Sequence, residues 1–181
     1  MSLTNIVLIG VSFPLRVRPN SSDQLSQASG NIGSIILSSL IASSQLQVTA
    51  LSREGSTSTI PSHPNLRTIQ TKYDLASLTK AFSGQDAVIS AVGAGGLGDQ
   101  KVFVDAAVAA GVKRFMPSEF SVNTLSPAVR DLVPLFEAKL QLLEHLKSKE
   151  NTGLSWTGLA AGLLFDWVSS VALHSDHKLI T

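Results

Sequence analysis

Short apolar runs recur along the chain, and helical stripes separate them. Residues 5–10 carry Ile6-Val7-Leu8-Ile9 and end in Gly10. A continuous run of this kind predicts a strand buried on both faces of a parallel sheet. Residues 31–42 place Ile32, Ile35, Ile36 and Leu40 on one stripe and predict a helix. A second strand is predicted over 47–51 and a weaker third over 67–71. Asp74 is a cap for a helix running to Phe82, with Leu75 and Leu78 turned inward. Residues 87–92 predict a fourth strand ending at Gly93. An Ala/Val-rich helix follows over 99–110, closed by Gly111, the usual left-handed stop. Residues 112–116 predict a fifth strand, which Pro117 ends. One long amphipathic helix is predicted over 128–150, and a sixth strand over 153–159.

Strand and helix alternate, so the expected fold class is α/β, a Rossmann doubly wound parallel sheet. Right-handed crossovers put a ligand at the carboxyl ends of the strands, at the switch point between the first and fourth. Gly10, Val92, Gly93 and the turn Pro117-Ser118-Glu119-Phe120 fall on that edge.

A dinucleotide-binding sheet needs a tight glycine turn directly after its first strand. Ala28-Ser29-Gly30-Asn31-Ile32-Gly33 has the form of the end of such a loop. Ser29 and the amides of Gly30, Asn31 and Ile32 would face a pyrophosphate at a helix N-terminus, and Gly33 would let the helix pack close to the sheet. Gly10 is the matching first glycine, but residues 11–27 lie between. Removing those seventeen residues restores Gly10-Ala28-Ser29-Gly30-Asn31-Ile32-Gly33, a clean GxxGxxG. The intervening text, VSFPLRVRPNSSDQLSQ, is rich in Ser, Pro and Arg, has no helical or strand period, and is long for such a connection. Val-Ser can be encoded with a splice-donor form, and the closing Gln with a splice-acceptor form. The expectation is a translated intron of short, fungal type, with a genuine loop insertion as the alternative.

Composition narrows the class. Of 181 residues, 44% are hydrophobic and 15% charged, enough apolar material for a core. The net charge of +1 carries no footprint for nucleic acid or an anionic membrane. With no cysteine there is no disulfide, thiolate metal site or cysteine nucleophile. The run 6–9 is too short for a signal-peptide core or a membrane span, and a cytoplasmic location is expected. One domain is expected over 1–167, interrupted by 11–27, followed by a non-domain tail over 168–181. The tail opens with Val168-Ser169, the pair that also opens the interruption, so a second read-through and a truncated chain are expected. No metal site is expected, despite His174, Asp176 and His177 in that tail.

NAD-specific sheets usually end their second strand on an acid that holds the ribose 2′-hydroxyl. Here that strand ends Ser52-Arg53, with Arg53 twenty residues after Gly33. A guanidinium can bind a 2′-phosphate bidentately and stack on adenine, and Ser52 adds a hydroxyl, so NADP(H) is expected as cofactor. The Tyr-x-x-x-Lys pair of many Rossmann reductases is absent, because the only tyrosine, Tyr73, is followed four residues on by Ser77. Lys139 is the best remaining proton donor, on the helix after strand five. By spacing alone, such a lysine is a solvated surface group.

These motifs together resemble the isoflavone-reductase-like and NmrA-like family, an atypical branch of the short-chain dehydrogenases. The matching residues are the restored glycine loop, Arg53, Asp86-Ala87-Val88-Ile89-Ser90, Ala109-Ala110-Gly111-Val112-Lys113-Arg114-Phe115, Pro117-Ser118-Glu119-Phe120 and Phe136-Glu137-Ala138-Lys139. The resemblance covers residues 1–10 and 28–167. It implies an NADPH-dependent reductase acting on a small, often aromatic, molecule, with Lys139 at the position of the family's catalytic lysine. It also admits a non-catalytic sensor of nicotinamide redox state that binds a regulatory protein. Ser121 departs from the glycine often found after Ser-Glu-Phe. Gly162 and Phe165 fall where the family's chain nears the nicotinamide, and the substrate-forming C-terminal part is absent, which leaves an inactive, incomplete chain as a third reading. Glu119 is expected to cap or pair, His145 to be solvated on its helix, His63 to sit in a Ser/Pro/Thr-rich loop, and Trp156 and Trp167 to pack.

Overall fold

The computed structural model describes residues 3–10, 24–58, 60–133 and 135–162, with the backbone alone for 24–31 and 135. The described residues form a six-stranded parallel sheet of order β3-β2-β1-β4-β5-β6. The strands are β1 (Asn5–Ile9), β2 (Gln47–Arg53), β3 (Leu66–Thr71), β4 (Ala87–Ser90), β5 (Arg114–Met116) and β6 (Ser155–Trp156). The helices are α1 (Gln24–Ile41), α2 (Leu75–Phe82), α3 (Gln100–Ala109), α4 (Pro127–Leu132) and α5 (Leu135–Ser148). This is the doubly wound order, with the chain reversing direction across the sheet between β1 and β4.

The apolar run of β1 divides between two cores, because successive strand side chains point to opposite faces. Val7 and Ile9 pack with Leu51, Leu78, Phe82, Val88, Phe103, Phe115 and Leu146, under α2, α3 and α5. Leu8 packs with Leu37, Val48, Ala50 and Ala91, under α1. Two-sided burial is why this strand is continuously apolar rather than alternating.

Asp86 ties the amino-terminal edge together. Its Oδ2 accepts the amides of Thr4 and Asn5 at 3.0 Å each, and its Oδ1 takes Lys113 Nζ at 2.7 Å. One carboxylate thus links the starts of β1, β4 and β5. The Lys113 ammonium first, then the two amides, hold it well below the usual carboxylate range.

Several element bounds differ from the sequence reading. The helix expected from Asn31 begins at Gln24, because Gln24-Leu25-Ser26-Gln27-Ala28 contains no helix breaker. Gln24 to Gln27, the last residues of the 11–27 stretch, are therefore helical, against the expectation of no helical period there. The helix expected over 128–150 is two, α4 and α5. Val133, before Pro134, is extended at φ −135° and ψ 93°, as the proline ring forces on the residue preceding it. The helix expected to start at Asp99 is preceded by a 3-10 turn over Ala94–Asp99, built on the glycine-rich sequence AGGLGD. The sixth strand shrinks to Ser155–Trp156, and the fifth begins at Arg114. Phe165, Trp167, His174, Asp176 and His177, and most of 11–27, lie outside the described residues.

Candidate active site

The carboxyl ends of β1, β2 and β4 enclose a cleft of about 300 Å³, lined by Gly10, Ser52, Arg53, Tyr73, Val92, Gly93 and Asp99 among others. It sits at the switch point of the sheet. Gly10 closes β1 with φ +88°, and a Cβ there would lie 2.6 Å from the carbonyl carbon and oxygen of Ala91. Only glycine fits both that left-handed backbone and that approach to the end of β4, which keeps the cleft floor at the level of the backbone.

Arg53 occupies one wall. Its Nη2 pairs with Asp99 Oδ2 at 2.5 Å, and its guanidinium carbon lies 4.5 Å from the centroid of the Tyr73 ring. Tyr73 in turn packs edge-on against Phe103, with centroids 5.0 Å apart. Burial pushes the Tyr73 hydroxyl up to about 12, opposed in part by the Arg53 charge. Tyr73 is thus a neutral aromatic platform under a cation rather than an acid or base at neutral pH.

The second half of the edge centres on Lys139, which is 8% exposed. Its Nζ donates to the Glu119 carbonyl at 2.6 Å and to Ser121 Oγ at 2.8 Å. Burial lowers its pKa from the ordinary lysine value, and the Glu119 carboxylate works in the opposite direction. The Ser-Glu-Phe turn that supplies these acceptors is itself pinned. Ser118 Oγ donates to the Val92 carbonyl at 2.7 Å, and the Ser118 amide donates to Gln100 Oε1 at 2.8 Å. Val92 lines the cleft, so the Lys139 turn and the cleft are joined by one hydrogen-bonded link. Glu119 is buried, with Oε2 accepting from Thr124 Oγ1 at 2.7 Å. Its Oε1, and Gln100 Nε2, have no partner among the described residues.

Of the residues expected to hold a cofactor, the cleft gathers Gly10, Ser52, Arg53, Val92 and Gly93. Ser29, Gly30, Asn31, Ile32 and Gly33 lie inside α1 instead, with Gly33 buried and Ile32 half-buried. The amides of residues 30–33 are beyond the first turn of a helix starting at Gln24, so they are committed to carbonyls four residues back. In this arrangement they are not free to bind a pyrophosphate. The cleft thus sets a cation on an aromatic ring beside a glycine floor, whereas the expected phosphate loop is absorbed into helix.

Sequence reasoning missed Asp99 and Tyr73 as cleft residues. Asp99 reads as the first residue of a helix, and Tyr73 enters the sequence reading only through the absent Tyr-x-x-x-Lys pair. Gln100 carries no sequence signal beyond being a polar residue that the structure buries. His145, expected to be solvated, is half-buried and lies 2.9 Å from Asp105 Oδ1.

Comparison with known proteins bears on this geometry. Residues 28–178 match the NAD(P)H-binding family. The chain belongs to that family. Oxidoreductase aprR of Aspergillus flavus is 39% identical over 136 residues, 75% of this chain and 46% of aprR. Oxidoreductase poxI of Penicillium oxalicum is 36% identical over 169 residues, 90% of this chain and 50% of poxI. The isoflavone reductase homolog IRL of Zea mays is 38% identical over 92 residues, 50% of this chain and 29% of IRL. The chain spans about half the length of the curated fungal relatives it matches. Among solved structures, AtPrR2 with NADP+ and (+)pinoresinol superposes with a TM-score of 0.62 at 21% identity, covering 88% of this chain and 50% of that one. Leucoanthocyanidin reductase with NADPH from Vitis vinifera gives 0.60 at 19% identity, covering 86% and 49%. These two likenesses establish the Rossmann fold of the NAD(P)H-binding chain. Among the described residues, no helix is long and apolar enough to cross a membrane.

Proposed function

We propose that this chain is the NADP(H)-binding part of a cytoplasmic reductase acting on a small aromatic molecule, with Lys139 as its proton donor. The observation that carries the reading is the buried ammonium of Lys139 at the carboxyl edge, held by Glu119 and Ser121. When bound, NADPH supplies a hydride. The residues of this chain do the rest. Arg53 and Ser52 receive the 2′-phosphate, and the backbone of Gly10, Val92 and Gly93 admits the nucleotide at close range. Lys139 Nζ holds a proton for the substrate atom that gains electrons, and its carbonyl and hydroxyl acceptors fix the direction in which it points. The named relatives support this reading, since they include oxidoreductases and a reductase homolog. Ser29, Gly30, Asn31, Ile32 and Gly33 join the site once residues 11–27 are removed, as spliced text would have it.

NADPH oxidation against a panel of aromatic and quinone-like substrates tests the reading, on a chain extended over the part of the relatives it does not cover. Lys139→Ala should reduce turnover by about 10²- to 10⁴-fold with NADPH affinity retained. NADPH binding with no turnover on any substrate points instead to a redox sensor that engages a regulatory protein. The buried, hydrogen-bonded ammonium of Lys139 at the carboxyl edge favours the reductase, because a sensor does not need that lysine.

A further inference from the structure

We propose that Asp99 is a specificity-determining residue of the adenosine end of the cleft, acting as the internal counter-ion that a 2′-phosphate must displace from Arg53. The proposal rests on the reading of Arg53 as the 2′-phosphate receiver.

Three observations carry it. Asp99 stands at the N-cap position of α3, where a carboxylate ordinarily accepts a helix amide, yet its side chain caps nothing. It reaches across the cleft to Arg53 instead, at 2.5 Å. The two residues come from different walls, Arg53 from the end of β2 and Asp99 from the turn after β4, and both line the cleft. The pair therefore spans the space between those walls. Finally, Arg53 is held from below by Tyr73 at 4.5 Å, so it keeps its position when Asp99 lets go.

The chemistry follows from charge. A 2′-phosphate brought to Arg53 places a dianion beside the Asp99 carboxylate, and like charges at such range disfavour each other. The Arg53 side chain is 57% exposed and that of Asp99 30%, so exchange of one anion for the other is inexpensive and the coupling is modest. A ribose 2′-hydroxyl meets a different situation, because a carboxylate accepts its hydrogen bond. Asp99 thus lowers the advantage that Arg53 gives to a phosphorylated ribose.

The test uses adenosine 2′-monophosphate and adenosine, which reach the Arg53 end without requiring the glycine segment. Calorimetric titration of the full chain should show that Asp99→Asn tightens adenosine 2′-monophosphate by about two- to fivefold. Adenosine should bind no more tightly, and the gain should vanish in an Arg53→Ala background. An unchanged or weaker affinity in Asp99→Asn, while Arg53→Ala still loses the phosphate preference, would overturn the role of Asp99 and leave the reading of Arg53 standing. An equal gain for both ligands would also overturn it. Binding that ignores Arg53→Ala, or no binding to any of the chains, would overturn both.

Discussion

Lys139 illustrates how one residue's chemistry is set by what surrounds it. A lysine in the middle of a helix is ordinarily solvated, but here α5 turns it onto the Ser-Glu-Phe turn, where it is 8% exposed. Desolvation disfavours its ammonium and the Glu119 charge partly restores it. A proton donor must be protonated, so turnover should fall as pH rises through the Lys139 pKa, below the range of a free lysine. Glu119→Gln removes the opposing charge, and the alkaline limb of the kcat profile should then move to lower pH. A limb that stays in place would exclude Glu119 as the group that supports the ammonium. In the sequence, Lys139 stands out as the proton donor left once the Tyr-x-x-x-Lys pair is absent, and through its likeness to a family lysine. Neither the burial nor the Glu119 carbonyl that receives it could be read from spacing, since both depend on a turn twenty residues upstream.

The elements most legible in the sequence were those with two-sided burial. The runs in β1 and β4 have no polar face, so pattern alone identified them, and the switch point between them followed from topology. Where the reading failed, a local signal was overridden or underweighted. The sequence has Pro134 inside the helix expected over 128–150, and the extended Val133 that precedes it ends α4. The start of α1 was less accessible, because Gln24 to Gln27 are merely permissive of helix and helix extends once neighbours support it. At the amino-terminal edge, Asp86 is an expected motif residue whose role became visible only with its partners. Its depressed pKa means that its stabilisation is present above the ordinary carboxylate range and lost as pH falls through the range of its own titration. Asp86→Asn should therefore lower the Tm by a few degrees at neutral pH. It should also flatten the acid-side decline in Tm measured between pH 5 and pH 2. An unaltered decline would show that the three-strand link is not what acid breaks.

At the scale of the molecule, two halves of one site have different standing. Gly10, Ser52, Arg53, Tyr73, Val92 and Asp99 line one cleft, the half proposed for the adenosine. The pyrophosphate half depends on α1, whose observed start buries the expected phosphate amides in its own hydrogen bonds. The family match begins at residue 28, the position where the sequence text resumes a glycine loop. Exposed apolar side chains stand before α4 at Leu125, at its end at Leu132, and after β6 at Leu159. The chain covers about half of its curated fungal relatives. On the reading proposed above, residues 11–27 interrupt the phosphate loop of an NADP(H)-binding fold. A helix N-terminus returned to the end of β1 would offer free amides and a favourable dipole to a pyrophosphate. The most direct measurement is the Kd for NADPH of the full chain and of a chain lacking residues 11–27, under identical salt. The deletion should tighten binding by at least about tenfold; equal affinity for the two chains would contradict an interrupted phosphate loop.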